Sequence, residues 1–175
     1  MIELSTARDL IAIFGVIAGF SYYVLTVRNT NRARKTQVVL TLSNMLFSEL
    51  MNRNYLSLLS MQWEDFDDFC NKYDSTNNPD HFAIRWNLWK FYDNLGYMLN
   101  QNIVDTDMVY YLVGGPSFVQ FWTKFKPIII EQRKLYNDPD WFRWWEYLYT
   151  EVQKFREKKN LTDASLEKDV YVKEF

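Results

Sequence analysis

Cysteine and histidine occur once each in 175 residues, as Cys70 and His81, and that scarcity removes several kinds of chemistry at the outset. A single cysteine forms no internal disulfide, which fits a reducing compartment. A single histidine excludes the usual multi-histidine metal sites, and one cysteine beside it leaves zinc short of its common ligands. No metal or cofactor is therefore expected. Glycine (5) and proline (4) are sparse too. Strands turn often and their turns draw on those two residues, which argues against an all-β fold. Disorder is disfavoured from the other side: 48% of the residues are hydrophobic and 18% aromatic, whereas disordered chains lack the apolar groups for a core.

What charge there is falls unevenly. Of 20 basic and 22 acidic residues, five and two respectively lie in residues 1–35, which leaves 15 against 20, a net of −5, in the remainder. An acidic body lacks the clustered Lys and Arg that bind phosphates, so no nucleic-acid partner is expected.

The apolar residues concentrate near the N-terminus. Leu10 to Val27 (LIAIFGVIAGFSYYVLTV) is a run of 18 residues without a charge, mildly interrupted by Ser21 and Thr26. As a helix it extends about 27 Å, close to the thickness of a bilayer's hydrocarbon core. Thr6 and Asp9 have capping-box spacing at its start. Arg28, Arg32, Arg34 and Lys35 crowd its far end, while the near end offers Arg8 against Glu3 and Asp9. The positive-inside rule then sets the orientation: N-terminus outside, the rest in the cytoplasm, a single pass through the cell membrane. Tyr22 and Tyr23 fall near the inner interface. A cleaved signal peptide needs its basic residues before the run and a small-residue cleavage site after it; here the basic cluster follows the run, and no convincing A-x-A site is present. Gly15 and Gly19 form a GxxxG, the spacing that lets two membrane helices approach closely, and mark a candidate helix–helix association face.

Beyond the membrane run, no glycine occurs between Gly19 and Gly96, and the first proline is Pro79. Val38, Val39, Leu42, Met45, Leu46, Leu50, Tyr55, Leu56 and Leu59 recur at three- and four-residue steps, which predicts one long helix from about Ala7 to Leu59 with a break near Arg53–Tyr55. Trp63–Tyr73 reads as a short amphipathic segment, with Glu64, Asp65, Asp67 and Asp68 on its solvated face. Asp74–Asp80 is a loop that ends in Pro79 at a helix start, and His81–Asn102 is the next helix. Asp105 caps a short one through Leu112, and Gly114-Gly115-Pro116 ends it. Ser117–Tyr136 follows, kinked at Pro127. Asp138 then caps a final helix with Pro139 at its first position, carrying Trp141, Trp144, Trp145, Leu148, Val152 and Phe155 along one stripe. From Lys158 the periodicity fades into a polar tail with Val170, Tyr171, Val172 and Phe175 apolar at its end, a candidate partner contact.

The fold class is thus all-α: one transmembrane helix continuing into a cytoplasmic bundle of about five to six helices. The expected divisions are an anchor and basic junction (1–35), a helical domain (36–158) and a tail (159–175).

Several short stretches resemble a widespread prokaryotic family of uncharacterised proteins built on a domain of unknown function. They are the junction Val27-Arg28-Asn29-Thr30-Asn31-Arg32-Ala33, the Tyr-x-Leu-x-Gly turn at Tyr110–Gly114, and the Trp-x-x-x-Lys-Pro helix at Trp122–Pro127. Arg133 and the Asn137-Asp138-Pro139 turn follow in order. The likeness covers most of residues 8–157 and implies a membrane-anchored helical domain; it transfers no active site.

No catalytic residues are assigned. One His and one Cys leave Asp and Glu as the remaining players, on faces that read as solvated, and catalysis needs convergent groups. The expectation is an interaction module, an accessory, scaffold or regulatory subunit of a larger membrane assembly, whose partners are the bilayer and another membrane protein or a second copy of itself. The alternatives are a self-associating single-pass sensor and, behind it, an enzyme at the membrane surface.

Overall fold

A computed structural model describes residues 4–161 of the chain, without the side chains of residues 4–7, 10 and 11. Among the described residues there are seven helices and no strand. By compactness the chain divides into two units, Met1–Leu42 and Ser43–Phe175.

The first unit consists of α1 (Leu4–Leu46) up to Leu42, and the last four residues of that helix belong to the second; α1 is 43 residues of uninterrupted helix, about 65 Å long. Gly15 and Gly19 do not break it. The helix reaches back to Leu4, so Thr6 lies inside its first turn rather than at its N-cap. Every residue from Ala12 to Gln37 is exposed; Phe14, Phe20 and Tyr22 are 67%, 68% and 73% open. One stretch, Ala12–Leu46, is long and apolar enough to cross a membrane, by length and composition.

The break after α1 falls at Phe47–Ser48, not near Arg53–Tyr55. Ser48 adopts an extended backbone (φ −67°, ψ 145°), and its hydroxyl accepts the Met51 N–H at 3.2 Å while donating to the Met45 carbonyl at 2.8 Å. A serine placed so can end one helix and start the next. Arg53 lies inside the new helix, α2 (Glu49–Leu59), held by Glu49 one turn before it at 2.6 Å.

Five further helices complete the second unit: α3 (Phe66–Tyr73), α4 (Pro79–Asn100), α5 (Thr106–Leu112), α6 (Gly115–Leu135) and α7 (Arg143–Lys158). Trp63 precedes α3 instead of belonging to it, because Asp65 caps that helix by accepting the Asp68 N–H at 2.8 Å. Asn78 caps α4 in the same manner, with Pro79 at the first position. Asp105 occupies the N-cap position of α5, but no side-chain cap bond forms there. Gly114 takes the left-handed conformation (φ 67°) that separates α5 from α6, and α6 runs unbroken through Pro127.

The final helix departs most from expectation. Asp138-Pro139-Asp140 forms a turn in which the Asp138 side chain accepts the Asp140 N–H at 3.0 Å. Helix α7 starts four residues after Pro139, at Arg143. Phe142, at the N-cap, has φ 54°, a left-handed conformation that non-glycine residues seldom adopt. It is buried to 2% exposure against Trp89 and Trp145, and that packing holds it there. The buried stripe of α7 is Trp145, Leu148, Val152 and Arg156; Trp144 and Phe155 are half-buried, as is Trp141, which lies in the turn before the helix.

The core is aromatic. Trp89, Trp122, Trp145, Phe69, Phe118, Phe121 and Phe125 are fully buried. Trp145 lies at the hub, with ring centroids 5.0 Å from Trp122, 5.6 Å from Tyr92, and 5.7 Å from Trp89 and Phe121. Helices α4 and α7 form the most extensive pairing. Gly96 permits it, since a Cβ there would overlap the Trp144 carbonyl.

Candidate interaction surface

Three polar side chains of the second unit, those of Asp93, Lys124 and Arg133, join its helices and turns. Asp93 on α4 is 9% exposed and accepts the Trp144 and Trp145 N–H groups at 3.1 and 3.2 Å. It is the N-terminal cap that Phe142 cannot supply, delivered from another helix. Lys90 stands 3.7 Å from the same carboxylate and 4.8 Å from the centre of the Phe142 ring.

Lys124 performs the complementary task at a C-terminus. Its ammonium donates to the carbonyls of Leu59 and Met61 at 2.6 and 2.7 Å, just where α2 ends, and lies 5.0 Å from the Trp63 ring centre. A cation there complements the exposed carbonyls and the negative end of the helix. Burial pulls its pKa below the ordinary lysine value. Arg133 donates from Nε to the Trp141 carbonyl at 2.9 Å and from Nη1 to Glu146 at 2.7 Å, bridging the α6–α7 turn.

Arg85, 4% exposed, faces the rings of Phe69, Phe82 and Trp89 at 4.6, 5.2 and 5.1 Å. Burial lowers its pKa to about 10, which leaves it cationic at neutral pH. Burial raises the thiol of Cys70, so the nucleophilic thiolate is scarce. The hydroxyl of Tyr92 is likewise held protonated by burial.

The acidic cluster serves α3. Asp65 caps it, while Asp68 accepts the Glu64 N–H at 2.9 Å and pairs with Lys72 at 2.7 Å. That hydrogen bond to Lys72 is the main reason the Asp68 carboxyl lies below its ordinary value. Among the described residues no three His, Cys, Asp or Glu side chains are grouped to hold a metal ion.

One recess of about 200 Å³ opens beside α2. Met51 and Tyr55 form its α2 wall, Leu88 and Tyr92 its α4 wall, and the α5–α6 turn its rim at Val113 and Gly114. Tyr55 braces it, donating to the Ser117 carbonyl at 2.9 Å and stacking on Phe121 at 5.1 Å. Most of its apolar lining is buried, including Leu46, Leu88, Tyr92, Leu112 and Val113, whereas Phe47 is 66% exposed.

The residues marked from sequence are not brought together into one site. Gly15 and Gly19 lie on α1 with nothing within 4 Å of a Cβ built on either. Arg28, Arg32, Arg34 and Lys35 are exposed on the same helix. Val170, Tyr171, Val172 and Phe175 lie outside the described residues. Sequence reasoning missed the clamps made by Asp93 and Lys124, whose partners are 51 to 65 residues away.

These features define an all-α protein with one helix long and apolar enough to cross a membrane and a separate helical body. The chain belongs to the family Domain of unknown function (DUF4760), whose model matches residues 9–152. The matched region begins inside α1, so the apolar helix is part of the family's domain and not an appendage to it. No curated protein and no solved structure matches the chain.

Proposed function

We propose that the protein is a single-pass membrane protein that holds its helical domain at the cytoplasmic face and acts as an accessory, scaffold or regulatory subunit of a larger membrane assembly. The observation that carries this reading is the continuous exposed apolar surface of α1, including Ile13, Phe14, Ile17 and Phe20, each at least half open. A surface of that extent needs a bilayer or a partner to cover it. The basic residues after the run and their scarcity before it support a cytoplasmic domain. A non-catalytic role is supported by the helix-joining work of Asp93, Lys124 and Arg133. The recess, with the exposed Phe47 on its wall, is a surface suited to a protein partner.

A second reading, a self-associating sensor, draws on the Gly15–Gly19 face, where no described residue lies within 4 Å of an added Cβ. Both readings meet one experiment. The full chain is extracted from native membranes in mild detergent, the particle mass is determined and every stoichiometric chain identified. A reproducible second chain supports the subunit reading. A homo-oligomer that Gly15→Leu dissociates supports the sensor. A lone monomer would defeat both. Protease added outside intact cells should spare the domain, and its digestion would reverse the proposed orientation.

A further inference from the structure

Residues 10–48 contain no Asp or Glu, and within them every Lys and Arg falls between Arg28 and Lys35. The described structure adds three facts. First, α1 passes through this junction without a break, so the basic side chains have fixed helical positions. Arg28, Arg32 and Lys35 step by four and three residues and share a face, with Arg34 to one side. Second, all four are exposed, and Arg28, Arg32 and Arg34 form no ion pair with any described residue. Third, the nearest acid on the same helix, Asp9, is already paired with Arg8 and lies about 28 Å along the axis from Arg28. That is more than three Debye lengths at physiological salt, so it neutralises none of the cluster.

We propose that Arg28, Arg32, Arg34 and Lys35 bind the phosphate headgroups of anionic lipids, holding a shell of them around α1 at the cytoplasmic surface. This rests on the membrane-anchor reading above. The dimensions fit: the cluster extends about 10 Å along the helix, enough to cover the headgroup layer of one leaflet, which is roughly 5–8 Å deep. Tyr22 and Tyr23, 65–73% exposed, stand about one and a half turns earlier, where aromatic rings seat at the edge of the hydrocarbon. Guanidinium groups on long apolar stems then reach the phosphates and grip them with paired N–H donors. Clusters of four or more basic residues directly after a membrane helix attract acidic lipids, and one such residue beside a given headgroup favours it about fivefold.

The full chain is reconstituted in phosphatidylcholine vesicles that contain a trace of spin-labelled phosphatidylglycerol or spin-labelled phosphatidylcholine. Electron spin resonance measures the fraction of each held at the protein. The expected result is a five- to tenfold preference for phosphatidylglycerol, falling as salt rises. Combining Arg28→Gln, Arg32→Gln, Arg34→Gln and Lys35→Gln should abolish it, whereas Arg28→Lys, Arg32→Lys and Arg34→Lys together should retain most of it. Equal retention of both lipids by the unaltered chain would overturn the proposal. So would loss of the preference on adding inorganic phosphate but not chloride of equal ionic strength, since the cluster would then be a site for free phosphate. Flotation with neutral vesicles after alkaline carbonate separates the two levels. A chain that does not float refutes the anchor itself, while one that floats without lipid preference refutes the headgroup shell alone.

Discussion

Asp93→Ala takes away the acceptor on which the first turn of α7 depends. Two backbone N–H groups, those of Trp144 and Trp145, donate to one carboxylate oxygen. Loss of an N-cap acceptor typically costs about 1 kcal/mol. Removal of a negative charge from the positive end of a helix adds about 0.3–1 kcal/mol. The Trp145 N–H is buried, and water does not readily replace the lost partner, so the desolvation penalty of an unsatisfied donor raises the sum to about 2–3 kcal/mol. Asp93→Asn keeps an acceptor of the same shape and loses the charge, for about 0.5–1 kcal/mol. The half-exposed Lys90 should matter little to this count, and Lys90→Met is expected below about 1 kcal/mol. The measurement is urea unfolding of the full chain in detergent, followed by tryptophan fluorescence and by far-UV circular dichroism. The expected order of loss is Ala well above Asn, with the m-value unchanged. An Asp93→Ala cost under about 0.5 kcal/mol would refute the capping argument, and equal costs for Asn and Ala would refute the role given to the acceptor.

Two other consequences can be measured on the same preparation. Gly96→Ala would be stabilising by about 1 kcal/mol if helix propensity alone decided; overlap with the Trp144 carbonyl reverses the sign, to a loss of about 1–3 kcal/mol, and a gain in midpoint would disprove the close approach of α4 and α7. The Asp68 carboxyl, held low chiefly by its hydrogen bond to Lys72, favours the folded state above the unfolded carboxylate range, and that support is lost as pH falls through the lowered value; NMR titration of Lys72→Gln should move Asp68 back toward its ordinary value, and an unmoved titration would remove Lys72 as the cause.

Much of the architecture is legible in the residues. The apolar steps predict helices, Pro79 opens α4, and Gly114 parts α5 from α6, because these signals act within a few residues of where they stand. The break between α1 and α2 escapes the periodicity for a physical reason. Its signal is one serine flanked by residues with ordinary helical tendencies, and Asn54, an equally good cap type by identity, lies inside α2 instead. The start of α7 escapes a local reading because its cap comes from α4; Asp138-Pro139 has the local form of a helix start, but those residues make a turn. Lys124 and Asp93 read as surface charges in a linear sequence, since their partners lie far along the chain. The apolar stripe read from Trp141, Trp144, Trp145, Leu148, Val152 and Phe155 is buried only at Trp145, Leu148 and Val152, and the fourth buried member of α7 is Arg156, which hydrophobic periodicity passes over. The recess beside α2 joins residues from Leu46 to Ser117 and has no signature in any one segment.

The loan of a cap from α4 to α7 has a consequence for synthesis. Asp93 is polymerised 51 residues before Trp144, an interval of about 3–10 s at ordinary translation rates. During it α4 has left the ribosome with a bare carboxylate and an open seat at Gly96, and no later helix to occupy them. The chain waits with its seam unclosed, and α7 can settle only as the last piece of the body.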